Sequence, residues 1–287
     1  MGENVGGLAV VEGVMMRKGT KMCTAVRKPD GKIVLRKQEY ESITKKNKLF
    51  RLPIIRGAIN FFEFLIVSIK ETVWSSNQSL EEDEQLGIKE MILMVLLSFL
   101  LALGLFKLLP WFIASITLEG NLAVNLFDAF IKTSIFILYL VLLGKLNDTK
   151  MLFEYHGAEH KTINCYEKNL KLTVNNVKKQ TLLNPRCGTT FIVLVFLVSI
   201  FFYVLIPVQF GFWLNFLFRI MLLPIIAGFG YELLHLGNRF YHKKIIRTMM
   251  QPGLWFQKLT TREPNKKQIE VAIKAIKQVI SNDKAQT

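Results

Sequence analysis

Histidine and cysteine are scarce here: four and three among 287 residues. Any imidazole or thiolate chemistry must therefore draw on His156, His160, His235, His242, Cys23, Cys165 or Cys187. So few cysteines exclude a disulfide-dense scaffold. Acidic residues are also in short supply, 22 against 37 Lys and Arg, for a net charge of +15. That excess is unevenly spread, and long stretches carry almost no charge, which argues against a uniformly basic nucleic-acid binder. An uncharged leader core is missing too. The first apolar run, 8–11, is broken by Glu12 and followed by Arg17 and Lys18, so membrane targeting is expected to fall to the first span. Gly6 stands where a myristoylation signal needs Ser or Thr. No repeat or low-complexity segment is visible.

What is present is apolar length. Four stretches, 91–109, 122–143, 191–206 and 212–234, approach the roughly 20 helical residues that cross a hydrocarbon core. The third is short, and Val208 and Phe210 can extend it past Pro207. Phe outnumbers Tyr by 22 to 7, a lipid-facing kind of aromatic usage. Fourteen Lys or Arg, with Lys89 at its edge, precede the first stretch, eight lie in 144–190 and eleven follow Asn238, whereas 110–121 and 208–211 have none. Basic loops stay in the cytosol. The expectation is an α-helical membrane protein with four transmembrane helices and both termini in the cytosol. All three cysteines then lie on the reducing side. Asp128 and Lys132 in the second span and Arg219 in the fourth are expected to form a buried charge pair, since unpaired charge in a bilayer is costly.

The cytosolic parts divide as a β-rich unit (1–52), an interfacial amphipathic helix with an acidic linker (53–88) and the first hairpin of spans (89–145). A motif-bearing loop (146–190), a second hairpin (191–236) and a tail with an amphipathic helix (237–287) follow. In the first unit, 8–16, 22–27 and 33–38 are rich in β-formers, with Pro29-Asp30-Gly31 as a turn. Residues 54–74 are apolar with Arg56, Asn60, Glu63 and Lys70 on one face, which suits a helix lying on the membrane better than one crossing it. In the tail, Pro264 suits a first helical turn, and Ile269, Ala272, Ile273, Ile276 and Ile280 make one stripe. Residues 251–257 read as a loop.

One segment carries chemistry: Tyr155-His156-Gly157-Ala158-Glu159-His160. On a helix the two His stack at i and i+4 with Glu159 beside them, the H-x-x-E-H order of inverted zinc peptidases. His156 and His160 are expected to bind a divalent metal, zinc by the thiolate–imidazole–carboxylate donor set, with Glu159 as the catalytic base. Cys187 and Glu232 arrive at the same membrane depth and are the candidates to complete the set. Tyr155, Glu167, Arg186 and Tyr231 flank these groups and are expected to hydrogen-bond to them. Three other readings stand: a closed, structural metal site, a metal-free hydrogen-bonded His pair, and a Cys187–His nucleophilic pair with Arg186 nearby.

The motifs Gly6–Arg17, Val26–Gly31, Pro53–Gly57, Tyr155–Lys161, Pro185–Thr189, Tyr231-Glu232 and Thr260–Pro264 resemble, in order and over almost the whole chain, the YqhQ family of bacterial membrane proteins, a domain-of-unknown-function family. The resemblance implies a metal-dependent enzyme. The family pattern has His ahead of Pro-Arg-Cys-Gly-Thr where this chain has Asn184, and His235 is outside the pattern. Partners expected from the basic surface are anionic lipid headgroups and, for a non-catalytic scaffold or assembly factor, the ribosome or translocon. A transporter is disfavoured, because four spans with few internal polar groups offer no pathway.

Overall fold

The computed structural model describes residues 5–80, 87–207 and 210–280. The acidic linker at 81–86 and Val208 lie outside them.

The stretch 8–16 is not one strand. Val11 and Glu12 turn the chain between β1 (Val5–Val10) and β2 (Gly13–Lys18), with Glu12 at φ 50°. A Glu in the left-handed region is uncommon. β3 (Lys21–Arg27) and β4 (Ile33–Glu39) flank the expected Pro-Asp-Gly turn, where Gly31 takes φ 83° and Asp30 accepts from the Lys32 N–H at 2.9 Å. The four strands form one antiparallel sheet in sequence order.

Alternation along the strands sends side chains to two covers. Val14, Met16, Cys23 and Ala25 pack on α5 (Asn147–Glu167) and the tail helix α11 (Lys266–Ile280). Ile269, Ala272, Ile273 and Ile276 of α11 are buried, as their stripe foretold. Val177 of the short α6 (Val174–Lys178) packs with Cys165 against Ile269 and Ile273. Met15 and Met22 face Val67 of α1 (Ile55–Ser79) on the opposite side. There the polar face of α1 is spent on the sheet, not on water: buried Glu71 accepts from Thr24 Oγ1 at 2.6 Å and from Gln38 at 2.7 Å. Its other face, with Phe62, Leu65, Ile66 and Ile69, is exposed.

The remaining helices are apolar. α2 (Ile88–Leu103) continues through a π-helical turn at Gly104–Leu108 into α3 (Leu109–Thr117), and α4 is Asn121–Leu143. Ile92–Thr117 and Asn121–Leu143 are each long and apolar enough to cross a membrane. α8 (Gly211–Met221) and α9 (Leu223–Arg239) together make a third candidate, bent by 42°, where Pro224 in the first turn of α9 interrupts the hydrogen-bond ladder. α7 (Gly188–Val204) is apolar but only 17 residues long. Between these helices Arg219 donates to Asp128 at 2.8 Å and to Asn125, and Lys132 reaches the same carboxylate at 3.1 Å. Lys107, passed over in the sequence, lies buried in this cluster against Tyr203.

Residues 251–257 are not a loop. They form the second half of α10 (Lys244–Thr260), with Pro252 tolerated inside it. The reason is packing: Gly253 lets α10 approach α7 so closely that a Cβ there would lie 2.5 Å from Thr190.

Candidate metal centre

α5 sets the site. It buries Tyr155, Ala158, Glu159 and His160, with His156 partly covered. Gly157 costs the helix about 1 kcal/mol against Ala, and the structure shows what the glycine permits: a Cβ at 157 would come within 2.0 Å of the Arg262 carbonyl oxygen. The chain leaving α10 can therefore run directly against α5, where the Arg262 N–H donates to the Phe153 carbonyl at 3.0 Å. That close passage delivers the Thr260 carbonyl to His156 Nδ1 at 2.9 Å.

His160 is held in the same manner from another direction. One turn on, Asn164 donates to the Thr181 and Leu183 carbonyls at 2.9 and 3.2 Å, and the intervening Leu182 carbonyl meets His160 Nδ1. A carbonyl only accepts. Both Nδ1 atoms therefore carry the proton, and both Nε2 atoms present lone pairs. A backbone carbonyl fixing tautomer and ring orientation is the usual support of a metal-binding imidazole.

The two imidazoles cluster with Cys187. His156 Nε2 is 3.2 Å from Cys187 Sγ, and one ligand atom from each of His156, His160 and Cys187 lies within 4.8 Å of the others. His160 Nε2 is buried with no hydrogen-bond partner among the described residues, an arrangement that is costly unless something binds it. Cys187 caps α7, accepting from the Thr189 N–H at 3.3 Å. Gln257 pins the segment before it. Its side-chain amide donates to the Asn184 carbonyl at 2.7 Å and to Thr190 at 2.8 Å, and accepts from the Asn184 N–H at 2.9 Å. Asn184 itself turns inward to accept from the Arg186 N–H at 3.0 Å.

Glu159 lies beside the three, 4.0 Å from His156 Nε2. Burial pushes its carboxyl up to about 7, with His156 opposing the shift. Gly7 leaves room for it: a Cβ there would sit 2.6 Å from Glu159 Cγ.

Glu232 is not brought to the group. Arg56 of α1 takes its carboxylate with contacts of 2.6, 2.8 and 3.2 Å. Neighbouring Tyr231 accepts from Asn60 at 2.9 Å. Glu167 pairs with Arg186. Tyr155 donates to Glu12 at 3.1 Å, and burial raises both groups. Thus of the flanking residues only Arg186 and Tyr231 share with His156, Glu159 and Cys187 a cavity of about 640 Å³, walled by β1, α1, α5, α9 and the start of α7. The residues that sequence reading missed, Gln257, Thr260 and Leu182, act through an amide and two carbonyls. A carbonyl carries no side-chain signature, and Gln257 fell in the segment read as a loop.

The donor set, two imidazoles and a cysteine sulfur with a carboxyl group beside them, is one that could hold a metal ion. No solved structure matches the chain. A curated relative, the uncharacterized protein YqhQ of Bacillus subtilis (strain 168), is 35% identical over 292 aligned residues, covering 96% of this chain and 92% of the relative. The model of the family described as protein of unknown function (DUF1385) matches residues 52–282. The chain belongs to that family.

Proposed function

We propose that this protein is a metal-dependent, hydrolase-type enzyme of the bacterial cytoplasmic membrane, with its site at the cytosolic surface. The observation that carries the reading is the buried, unpartnered His160 Nε2, on an imidazole whose Nδ1 is held by a carbonyl and which clusters with His156 and Cys187. His156, His160 and Cys187 would hold the ion, and three protein ligands leave a coordination position for a reactant. The ion would supply Lewis acidity. Glu159, 4.0 Å from His156 Nε2, would take and return the proton of an attacking water. Walls of Phe61, Phe64 and Phe191 limit bulk water at the site.

The membrane topology is part of the proposal: four spans, with α7 and the bent α8–α9 pair as the third and fourth, and both termini inside. It is supported by the basic residues of 1–88, 144–190 and the tail, and by Asp128 and Arg219, whose buried pairing suits two helices crossing together. The exposed apolar face of α1 beside the basic surface supports seating on anionic headgroups. The same face favours a second reading, a scaffold that docks a protein partner at the membrane.

Metal analysis of the full chain purified in detergent tests the first reading. About one zinc per chain, lost in His160→Ala, is the expected result. Substoichiometric metal that His160→Ala does not change would overturn it.

A further inference from the structure

The cavity beside the three ligands has a wall that the enzyme reading leaves unused: the edge of the sheet. β1 is an outer strand, and residues from both of its faces, Gly6 and Leu8 toward α1 and Gly7 toward α5, line the cavity. The strand therefore presents its edge to that space.

Which backbone groups point outward follows from two bonds elsewhere in the sheet. The Tyr40 N–H donates to the Thr20 carbonyl at 2.7 Å, and the Arg27 N–H to the Glu12 carbonyl at 2.9 Å. In antiparallel pairing, each residue directs both its N–H and its C=O to the same side, and successive residues alternate. Even-numbered residues of β3 thus bond to β4 and odd-numbered ones to β2. The odd-numbered residues of β2, Gly13, Met15 and Arg17, are left for β1, where the register pairs them with Val10, Leu8 and Gly6. Gly7 and Ala9 therefore aim away from the sheet. Val11 shows the same phase, because its N–H reaches out to Ser75 Oγ of α1 at 3.1 Å. Among the described residues no hydrogen bond engages the outward groups of Gly7 or Ala9.

We propose that the free edge of β1 docks an extended, apolar polypeptide segment, which pairs its backbone with Gly7 and Ala9 and lies across His156, Glu159 and Cys187. The proposal rests on the metal-site reading for the chemistry that follows binding, but not for the binding itself. An unpaired edge beside a concave site is the geometry of strand addition, where main-chain bonds hold the segment and alternate side chains enter pockets. One row of side chains would face Phe61, Phe64 and Val67, the other Phe153 and His156. A lipid acyl chain suits those walls equally well but not the edge. It would strip water from the peptide groups of Gly7 and Ala9 and return no hydrogen bond, which is costly in an apolar site. That difference favours a peptide.

The test uses the full chain in nanodiscs of phosphatidylglycerol and phosphatidylethanolamine. The probe is a peptide of alternating Val and Thr with a central benzoylphenylalanine, alongside the same peptide N-methylated at every interior amide. Light-induced crosslinks are mapped by mass spectrometry. The unmethylated peptide is expected to label residues 5–18, and methylation to reduce labelling about tenfold, the weight of one or two backbone hydrogen bonds. Ala9→Pro removes an outward donor at an edge position where proline is tolerated and is expected to have the same effect. Gly6→Leu places its side chain where a Cβ meets nothing within 4 Å, so it fills the cavity without disturbing the strand and is expected to block labelling. Equal labelling by both peptides, or wild-type labelling of both variants, would overturn the proposal. So would a diazirine-bearing phosphatidylglycerol that labels 5–18 and is not displaced by the peptide. Zinc measured on the same samples separates the two claims. Methylation-sensitive labelling without zinc sinks the metal reading alone, and zinc without such labelling sinks the docking strand alone.

Discussion

Gly157→Ala isolates the close passage on which the metal centre depends. The added methyl would lie 2.0 Å from the Arg262 carbonyl oxygen, 2.9 Å from Leu182 Cδ2 and 3.2 Å from Arg262 C. Two of these are backbone atoms, which no rotamer change can clear. Ordinary contact needs 3.4 Å or more, so the chain at Arg262 must retreat by at least about 1 Å in a close-packed interior. Alanine gains about 1 kcal/mol of helix propensity, and overpacking costs about 1–3 kcal/mol. Because the clash is with backbone, the upper part of that range applies, for a net loss of about 1–2 kcal/mol. The larger effect is on the site. Thr260, two residues from Arg262, supplies the carbonyl that holds His156 Nδ1, and losing such a support weakens metal binding about 10–100-fold. The assay is zinc affinity by competition with a chelating dye, together with a denaturant melt in detergent. Gly188→Ala is the control, because a Cβ there meets nothing within 4 Å. A Gly157→Ala protein with wild-type zinc affinity, or one stabilised by the full helix-propensity gain, would refute the reasoning.

Two further outcomes follow from burial. Asp128→Ala leaves Arg219 and Lys132 buried without their carboxylate, a change that costs about 3–5 kcal/mol. It is expected to lower the detergent melting midpoint sharply, and a midpoint equal to wild type would contradict the pairing. Cys23 is 1% exposed and burial pushes its thiol up to about 11, so at pH 8 it stays protonated and covered. In the folded protein it is expected to escape iodoacetamide, while denaturation exposes it. Rapid native labelling at Cys23 would contradict the packing of β3 against α5 and α11.

Much of this fold was legible where pattern and period coincide. The α11 stripe, the Pro-Asp-Gly turn and the i, i+4 pair of His156 and His160 follow from spacing, and each is present, while the Asp128–Arg219 contact follows from the cost of unpaired charge in an apolar segment. What escaped depends on partners remote in sequence. Cys187 and Glu232 were equal candidates for the third ligand, until the fold gave Glu232 to Arg56, 176 residues away. The polar residues of α1 read as a water-facing stripe, but Glu63 and Glu71 bond instead to groups of the N-terminal unit. The turn at Val11 and Glu12 lacks Gly, Pro, Asn and Asp, so β1 and β2 merged into one run. That turn matters, because the hairpin makes β1 an edge strand.

X-ray absorption at the zinc edge on the loaded full-length protein tests the central claim most directly. The expected result is a mixed shell with one sulfur at about 2.3 Å and two imidazole nitrogens at about 2.0–2.1 Å, and loss of the sulfur scatterer in Cys187→Ser. A shell of oxygen and nitrogen alone in the wild type, unaltered by Cys187→Ser, would contradict it.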